Sequence, residues 1–313
     1  MITTVTLNPA LDITMELNQF VPNEYNSVKR VSRIPGGKGI NISKAISVFD
    51  LDTMAIGLLG GHAGHFIAEQ LREYGITTNF WHIEEETRTN LIIIEQEKKT
   101  HTLLSDPGPK IAKHDLDRFI AIFSRVMSQS KIVALSGSLP KDVPDDIYRQ
   151  LIEIAHEKNV QTILDAPGTS FEKGIEAKPF LAKPDLRASK NRVFNRQVDS
   201  QEAAINIAHE IVNRGIQIAV ISYQDTKDII ATTDKVWLAE SIKQQAVNIV
   251  GTAEAVIAGF AIKLVQEKKE DIADIIKFAM ACGLASALTD EEEFHTQKDV
   301  IKCLSCIKIS ELK

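Results

Sequence analysis

The alternation of two kinds of segment constrains the fold of this chain more than any other feature. Short apolar runs rich in β-branched residues alternate with longer segments whose apolar residues recur at helical spacing. The predicted strands are residues 3–7, 53–58, 131–135, 161–164 and 217–222, and the predicted helices are residues 40–48, 65–74, 115–127, 145–156 and 201–213. This pattern is typical of an α/β fold with a mainly parallel sheet flanked by helices.

Two apolar segments, residues 12–17 and 90–104, break the alternation and predict strands outside the main sheet. Five charged or polar residues at 95–99 divide the second segment, which is typical of a hairpin with a charged tip. Because so apolar a hairpin needs a surface to cover, we expect a small β lid over a cleft. Its strands would be inserted at about 11–34 and 87–105 of a single domain spanning 1–313. Residues 252–288 predict nearly continuous helix.

The charge pattern argues against nucleic-acid and membrane partners. The 313 residues carry a net charge of −6, and the basic residues are scattered among acidic ones. Apolar runs fall short of the ~18 uncharged residues that a membrane-spanning helix needs, and the first residues lack the pattern of a secretory leader. We expect a cytoplasmic protein.

A glycine-rich segment is the first candidate for ligand binding. Gly36, Gly37 and Gly39 precede a predicted helix, so their N–H groups can approach an anion that the helix N-terminus also attracts. Lys38 adds a positive charge, and Asn41 offers its amide from the first helical turn. The spacing matches neither the P-loop nor the dinucleotide-binding fingerprint. From these residues alone, an ordinary glycine-rich turn is an equally good interpretation.

The surroundings of this segment resemble a known family. Gly-Gly-Lys-Gly-Ile-Asn-Ile-Ser at 36–43, preceded by Thr-Leu-Asn-Pro-Ala-Leu-Asp at 6–12, resembles the N-terminal signature of the ribokinase-like, phosphofructokinase-B-type sugar kinases. The resemblance is nearest to the 1-phosphofructokinase and tagatose-6-phosphate kinase branch. Further matches follow in the family's order at 87–90, 106–109, 136–140, 250–251 and 258–260. Together they extend over nearly the whole chain.

The resemblance implies a doubly wound ribokinase-like domain with a β-clasp lid, often a homodimer through that lid. Such a kinase uses ATP and Mg2+ to phosphorylate a hydroxyl of a ketohexose phosphate, here tagatose 6-phosphate or fructose 1-phosphate. By the same resemblance, the residues that hold sugar hydroxyls are Asp12, Gly37, Lys38 and Asn41, and those near the substrate's phosphate are Arg88, Asn90 and Ser138. Arginine suits phosphate because its fork binds two oxygens. Without the resemblance, Asp12 would be a loop cap and Arg88 a solvated strand residue.

The family's catalytic segment, Gly-Ala-Gly-Asp, is altered in this chain to Gly251-Thr252-Ala253-Glu254. The resemblance implies that Gly251, Thr252 and Ala253 stabilise the migrating phosphoryl group and that Glu254 is the base. An extra methylene that moves the carboxylate by ~1 Å costs about 100-fold in rate. Ala253 would also be strained if its position requires a positive φ.

The nucleotide side departs from the family in two further places. The resemblance assigns nucleotide binding to Lys183, Asp185, Ser222, Gln224 and Gly251. The family's Lys-Pro-Asn-x-x-Glu ends here in Ala188, without its glutamate. The family's Ser-x-Gly-x-x-Gly appears at 222–227 as Ser-Tyr-Gln-Asp-Thr-Lys, without either glycine.

All three departures lie in the half of the cleft that would bind ATP, so two hypotheses remain. The preferred one is an ATP-dependent ketohexose-phosphate kinase. The alternative is a catalytically degenerate sugar-phosphate binder, acting as a sensor or partner subunit. A dinucleotide-dependent oxidoreductase is excluded, because no Gly-x-Gly-x-x-Gly follows the first strand.

The remaining reactive side chains have plain structural interpretations. Cys282, Cys303 and Cys306 predict reduced thiols in a helical tail. His62 and His65 predict a polar loop and helix start rather than a metal pair, and the acidic run at 290–293 predicts a solvated helix edge. We therefore predict no metal site built from protein side chains.

Overall fold

The computed structural model of the chain describes residues 1–187, 189–224, 226–241, 251–266, 270–289 and 295–312. Within these ranges the strands are β1 (Ile2–Thr6), β2 (Ala10–Leu17), β3 (Arg30–Gly36), β4 (Thr53–Gly60), β5 (Thr77–Ile83), β6 (Arg88–Glu95), β7 (Thr100–Leu104), β8 (Ile132–Ser136), β9 (Gln161–Ala166), β10 (Leu181–Pro184), β11 (Arg192–Val193), β12 (Arg196–Gln197), β13 (Ile218–Gln224), β14 (Lys227–Ala231), β15 (Val236–Ser241) and β16 (Ile307–Leu312). The α-helices are α1 (Lys38–Ser47), α2 (Gly61–Glu73), α3 (Lys113–Met127), α4 (Ile147–Glu157), α5 (Gly168–Gly174), α6 (Gln201–Asn213), α7 (Thr252–Val265), α8 (Ile272–Ala287) and α9 (Gln297–Leu304), and a 3-10 helix follows α5 at Ile175–Ala177.

The main sheet has ten strands in the order β16-β15-β14-β13-β10-β9-β8-β1-β4-β5. The strands from β13 to β5 pair in parallel, while β14, β15 and β16 continue the sheet antiparallel. From β1 the chain builds outward through β4 and β5 on one side, and through β8, β9, β10 and β13 on the other. The sheet is therefore doubly wound, as predicted, and the strand order reverses between β1 and β8.

Helices cover both faces of this sheet. One face packs against α3, α4, α5 and α6, with Phe119, Tyr148 and Phe171 fully buried in the interface. The other packs against α1, α2, α7, α8 and α9. Strands covered on both faces are buried at successive positions, as β1 and β8 are. β8 is apolar from Ile132 to Leu135, whereas β1 contains three threonines, of which Thr3 and Thr4 form hydrogen bonds with Ser130 and Ser43.

A separate four-stranded sheet, in the order β3-β2-β6-β7, forms the expected lid. Its central strands β2 and β6 pair in parallel, and β3 and β7 flank them antiparallel. The predicted hairpin with a charged tip is β6 and β7, with Glu95 opposite Thr100. Since β2 begins just after β1 and β3 ends just before α1, the lid is joined to the main sheet at the point of strand reversal.

Several elements differ from the prediction. Strands β5, β10, β14, β15 and β16 were not predicted. β10 is a four-residue strand inside the main sheet, too short to show a pattern, and the others lie towards its two edges, where polar residues interrupt the apolar pattern. The tail is also not wholly helical: Cys303 lies in α9, but Cys306 precedes β16. Cys282, Cys303 and Cys306 are free thiols. The predicted helix edge at 290–293 lies outside the described residues.

The two histidines at the glycine turn lie in α2, which begins at Gly61. His65 stacks on His82 of β5, with 5.4 Å between ring centroids. Across the described ranges, no group of three or more ligating side chains is arranged to hold a metal ion. In the same ranges, no helix is both long and apolar enough to span a membrane.

Candidate active site

The candidate site lies at the carboxyl ends of the parallel strands, beside the reversal between β1 and β8. In doubly wound sheets this edge is where ligands bind, because the chain leaves the two central strands in opposite directions and opens a crevice. Asn8 follows β1, Ser138 follows β8, Asp165 lies near the end of β9 and Asp185 follows β10. The glycine-rich segment and the start of α7 complete the set.

The glycine-rich segment connects the lid to α1. Gly37 precedes the first helical residue, Lys38, and Gly39 packs against the end of β1. A Cβ on Gly39 would lie 2.3 Å from the carbonyl oxygen of Val5, so only glycine allows this approach. Asn41 lies in the first turn of α1, and its backbone N–H donates to the carbonyl of Gly37 at 2.9 Å. The close packing places the start of α1 beside the central strands.

Lys38 joins three carboxylates. Its Nζ lies 2.9 Å from Asp165 Oδ2, 3.0 Å from Glu254 Oε1 and 3.2 Å from Asp185 Oδ2. Burial alone would lower the pKa of Lys38, but the charges of Asp165, Glu254 and Asp185 outweigh burial and raise this pKa above its ordinary value of 10.5. The prediction assigned Lys38 to sugar hydroxyls, whereas in the structure its ammonium contacts these acidic groups.

Glu254 lies in the first turn of α7 and is only 2% exposed. Burial opposes its charge, yet Lys38 and, less strongly, Arg187 lower the pKa of the Glu254 carboxyl below its ordinary 4.5. Its Oε2 atom is buried without a hydrogen-bond partner among the described residues. Glu254 is therefore an ionised carboxylate with one oxygen engaged and one oxygen available.

The expectation of strain at Ala253 is wrong. Gly251, which caps α7, has the positive φ of +85°, while Ala253 lies within the helix and is not among the residues with positive φ. Thr252 begins the helix, and within the described residues no side chain caps this end. The N-terminus of α7, where backbone N–H groups lack partners within the helix, is the kind of position that attracts an anionic ligand.

The side chains predicted to face the sugar lie on the lid and on the loops below it. Asn90 of β6 donates its amide to Asp12 Oδ1 of β2 at 2.7 Å, since the two residues are opposite each other in register. Burial raises the pKa of Asp12. Arg88 donates to the carbonyl oxygens of Asn8 at 3.2 Å and Asp106 at 2.8 Å, and burial lowers its pKa. These contacts hold the guanidinium at the junction of the lid and the main sheet.

Unpartnered polar atoms at this edge of the sheet point to a polar ligand. Four buried oxygens have no hydrogen-bond partner among the described residues: Thr6 Oγ1, Asn8 Oδ1, Asp165 Oδ1 and Glu254 Oε2. Asn8 also lies within reach of Ser138, with 3.4 Å between Nδ2 and Oγ. A buried oxygen without a partner costs about 1–3 kcal/mol. Asp165 Oδ1 and Glu254 Oε2 belong to two carboxylates that share Lys38, so this pair favours a ligand that supplies donors.

The predicted nucleotide side is built on β10, β13 and β14. Lys183 and Asp185 are buried. Ser222 donates a hydrogen bond to Asp228, and burial raises the pKa of the Asp228 carboxyl. Gln224 ends β13 next to a break in register and is exposed. Ala188, Asp225 and Val250 lie outside the described residues.

Asp165 and Asp228 were not predicted as site residues, and Ser136 was included only as the first residue of the motif at 136–140. Asp165 follows the apolar run Thr162-Ile163-Leu164, so the signal was a carboxylate near the carboxyl end of a predicted parallel strand. Asp228 stands in an ordinary strand context, with nothing in the sequence to mark it. The positions of Asp165 and Asp228 in the site become evident only when the neighbouring strands are known.

Comparison with known proteins agrees with this architecture. The family model described as pfkB family carbohydrate kinase matches residues 5–292. The chain belongs to this family. It is 30% identical over 312 residues to the 1-phosphofructokinase of Bacillus subtilis, covering 100% of both chains. It is also 30% identical over 303 residues to a tagatose-6-phosphate kinase of Staphylococcus epidermidis, covering 96% of both.

Solved structures give the same result for this pfkB-family chain. A possible 1-phosphofructokinase of Thermotoga maritima superposes with a TM-score of 0.91 at 30% identity, covering 100% of this chain and 99% of that one. Phosphofructokinase-2 of Escherichia coli, in a tetrameric inhibited form, superposes with a TM-score of 0.87 at 22% identity, covering 97% and 98%. The second likeness supports the fold alone.

Proposed function

We propose that this pfkB-family chain transfers the γ-phosphate of ATP to a hydroxyl of a ketohexose phosphate, either tagatose 6-phosphate or fructose 1-phosphate, to give a bisphosphate. The observation that carries the proposal is the 3.0 Å contact between Lys38 Nζ and Glu254 Oε1. It joins the glycine-rich segment to the start of α7, so the two family motifs meet at one point. The named relatives are kinases of these two substrates.

The proposed sugar site is the space between the lid and the start of α1. Asp12 and Asn90 present a carboxylate and an amide that suit the donors and acceptors of sugar hydroxyls. Gly37, Lys38 and Asn41 lie below them and complete this set. Arg88 and Ser138, at the edge of the lid, would bind the phosphate already on the substrate.

The proposed transfer site is the N-terminus of α7. Phosphoryl transfer depends mainly on positioning and on stabilising negative charge. The uncapped N–H groups that follow Gly251, at Thr252 and Ala253, together with the helix dipole, would stabilise the transferring group. Glu254 would accept the proton of the attacking hydroxyl through Oε2.

The residues present fit a nucleotide with its metal. ATP supplies the transferable phosphoryl group, and the open N-terminus of α7 suits its anionic end. Lys183, Asp185, Ser222 and Gln224 lie on the same edge of the sheet and would face the nucleotide. The described residues offer no ready set of three ligands for a resident metal ion, so Mg2+ would enter with the nucleotide phosphates.

A coupled assay for ADP release tests the proposal. The assay would compare tagatose 6-phosphate, fructose 1-phosphate and fructose 6-phosphate, each with Mg-ATP, using Glu254→Ala as the control. We expect turnover with one of the first two substrates. Turnover no faster than that of the control with all three would overturn the proposal.

The non-catalytic sugar-phosphate binder is not favoured. The family assignment and the named relatives favour a kinase. In addition, Ala253 does not have the positive φ that would strain the backbone at the start of α7. Calorimetry separates the alternatives: a kinase binds Mg-ATP, whereas the non-catalytic protein binds a sugar phosphate without it.

We also propose that the whole chain acts as one domain and forms a homodimer through the lid. Val31, Leu103 and Leu104 leave 41%, 59% and 52% of their surface exposed, and a second copy would cover them. A cytoplasmic location is proposed because ATP and sugar phosphates are intracellular metabolites, and cell fractionation tests it.

A further inference from the structure

Asp165 lies at the centre of the candidate site but outside every motif that the family resemblance assigns. It is fully buried near the carboxyl end of β9. In the parallel register it lies between Ser136 of β8 and Lys183 of β10. A buried carboxylate in the middle of a sheet needs hydrogen bonds or a counter-ion, and the identity of these partners indicates what Asp165 does.

One carboxylate oxygen of Asp165 makes both of its hydrogen bonds. Oδ2 accepts from Ser136 Oγ at 2.7 Å and from Lys38 Nζ at 2.9 Å. Ser136 and Asp165 are held by neighbouring strands, so the pair is a fixed point. Lys38, by contrast, carries its charge on a four-carbon stem with several rotatable bonds. The strand pair therefore anchors the ammonium group.

We propose that Asp165 is a positioning residue: by anchoring Lys38, it holds Glu254 with Oε1 engaged and Oε2 free to accept a proton. This inference rests on the proposed kinase function. Lys38 Nζ lies 3.0 Å from Glu254 Oε1, and Glu254 Oε2 has no partner among the described residues. A misplacement of about 1 Å at a reacting group costs on the order of 100-fold in rate.

Without the anchor, the ammonium would be shared by Asp185 and Glu254 alone. The charged groups around Glu254 are Lys38 from α1, Arg187 and Asp185 from the segment after β10, and Asp165 from β9. Removing the negative charge of Asp165 strengthens the hold of Lys38 on Glu254. The Glu254 carboxylate then becomes a weaker base with a lower pKa. The fall in kcat/KM on the acid side of the pH profile, its acid limb, therefore moves to lower pH.

The test is the Asp165→Asn variant, whose amide is close in size to the carboxylate. We expect kcat to fall about 100-fold, while KM for Mg-ATP stays within about twofold. We also expect the acid limb to move to lower pH. The inference would be overturned by any of three results: an unchanged kcat, an acid limb that stays at the same pH, or an activity defect that comes mainly from a higher KM for Mg-ATP.

Two further variants guard against a simple folding defect. Ser136→Ala removes the second hydrogen bond of Asp165 but keeps its charge, and it should lower kcat by several-fold without moving the acid limb. Asp115→Asn alters a different buried carboxylate, which lies on α3 and accepts a hydrogen bond from Trp81 Nε1 at 2.8 Å. This control should keep the wild-type kcat. A normal kcat in a folded Ser136→Ala protein would contradict the anchoring role.

Crystal structures separate failure of this inference from failure of the proposed function. If the wild-type protein shows no turnover, the proposed kinase function fails, but the anchoring geometry can still be measured. The structure of Asp165→Asn should then have Lys38 Nζ shifted away from the side chain at position 165 and towards Asp185 and Glu254. An ammonium group that stays 2.9 Å from that side chain would overturn the anchoring role.

Discussion

Lys38 and Glu254 lie 216 positions apart in the chain, yet their charged groups meet at 3.0 Å in the candidate active site. One residue begins α1 below the lid, and the other lies in the first turn of α7. Their contact brings the proposed sugar side and the proposed phosphoryl-transfer side together. We therefore expect changes to this ion pair to alter both activity and stability.

Removing the proposed base should abolish most of the activity. Glu254→Gln keeps the size of the side chain but cannot accept a proton, and we expect kcat to fall by about 10²- to 10⁴-fold. Glu254→Asp is the informative companion, because it keeps a carboxylate but shortens the side chain by one methylene, and we expect its kcat to lie between those of the wild type and Glu254→Gln. The coupled ADP assay measures both variants. A Glu254→Gln enzyme with wild-type kcat would rule out the proposed role.

The pH dependence of activity should reflect the ion pair. Because Lys38 lowers the pKa of Glu254 below 4.5, the base is deprotonated throughout the neutral range and becomes protonated only in more acidic solution. We expect kcat/KM to be flat on the acid side down to below about pH 5. Rates measured from pH 4 to 8 give the profile. A limb near pH 6 to 7 that persists in kcat at saturating substrates, where the titration of the free sugar phosphate at about pH 6 no longer contributes, would identify a different group as the base.

Stability should change in a different range of pH for each partner. The lowered pKa of Glu254 contributes stability that is present above its unfolded value of 4.5 and is lost as the pH falls through the folded value. The raised pKa of Lys38 contributes stability that is present below 10.5 and is lost as the pH rises through its folded value. Urea unfolding between pH 3 and 11 should therefore give a free energy of unfolding that falls towards both extremes.

The sequence predicted that the proposed catalytic segment starts a helix, but not which residues surround it. The family resemblance placed Glu254 at the start of a helix, and alternation predicted the central strands, because buried parallel strands read as continuous apolar runs. Asp165 was missed because one carboxylate in a strand has no local signature. Its role depends on β8 and β9 being neighbours, which only the strand order determines. Edge strand β16 was missed because it alternates apolar and polar residues, as a half-buried strand does, whereas the prediction rested on short apolar runs.

Replacing Lys38 should destabilise the fold as well as the activity. Lys38→Met preserves the apolar stem but leaves Asp165, Asp185 and Glu254 without their shared cation. Removing one partner of a buried ion pair costs about 3–5 kcal/mol, and we expect a loss of that order in the free energy of unfolding. Lys302→Met is the matched control, since its pairing with Asp299 is on the surface of α9. Urea titration at pH 7 compares the two variants, and an equal, small effect would contradict the buried-pair interpretation.

The lid surface should control the oligomeric state. Leu104→Glu places a charge on the exposed apolar part of β7, and we expect it to convert a homodimer to a monomer. Ile301→Glu is the control, because Ile301 is 65% exposed on α9, away from the lid. Light scattering after size exclusion measures the mass of each variant. A monomeric wild-type protein, or a dimeric Leu104→Glu variant, would argue against lid-mediated association.

Arg88 should control affinity for the substrate's own phosphate. In the structure its guanidinium is held by backbone carbonyls at the edge of the lid, which orients the fork without neutralising its charge. Arg88→Lys keeps the charge but loses the paired donors, and hydrogen bonds to charged groups contribute about 1.5–3 kcal/mol. We therefore expect KM for the sugar phosphate to rise by about 10- to 100-fold, with KM for Mg-ATP unchanged. Arg149→Lys, on the solvent side of α4, is the control and should behave as wild type. If Arg88→Lys instead raises KM for Mg-ATP, Arg88 belongs to the nucleotide side of the cleft.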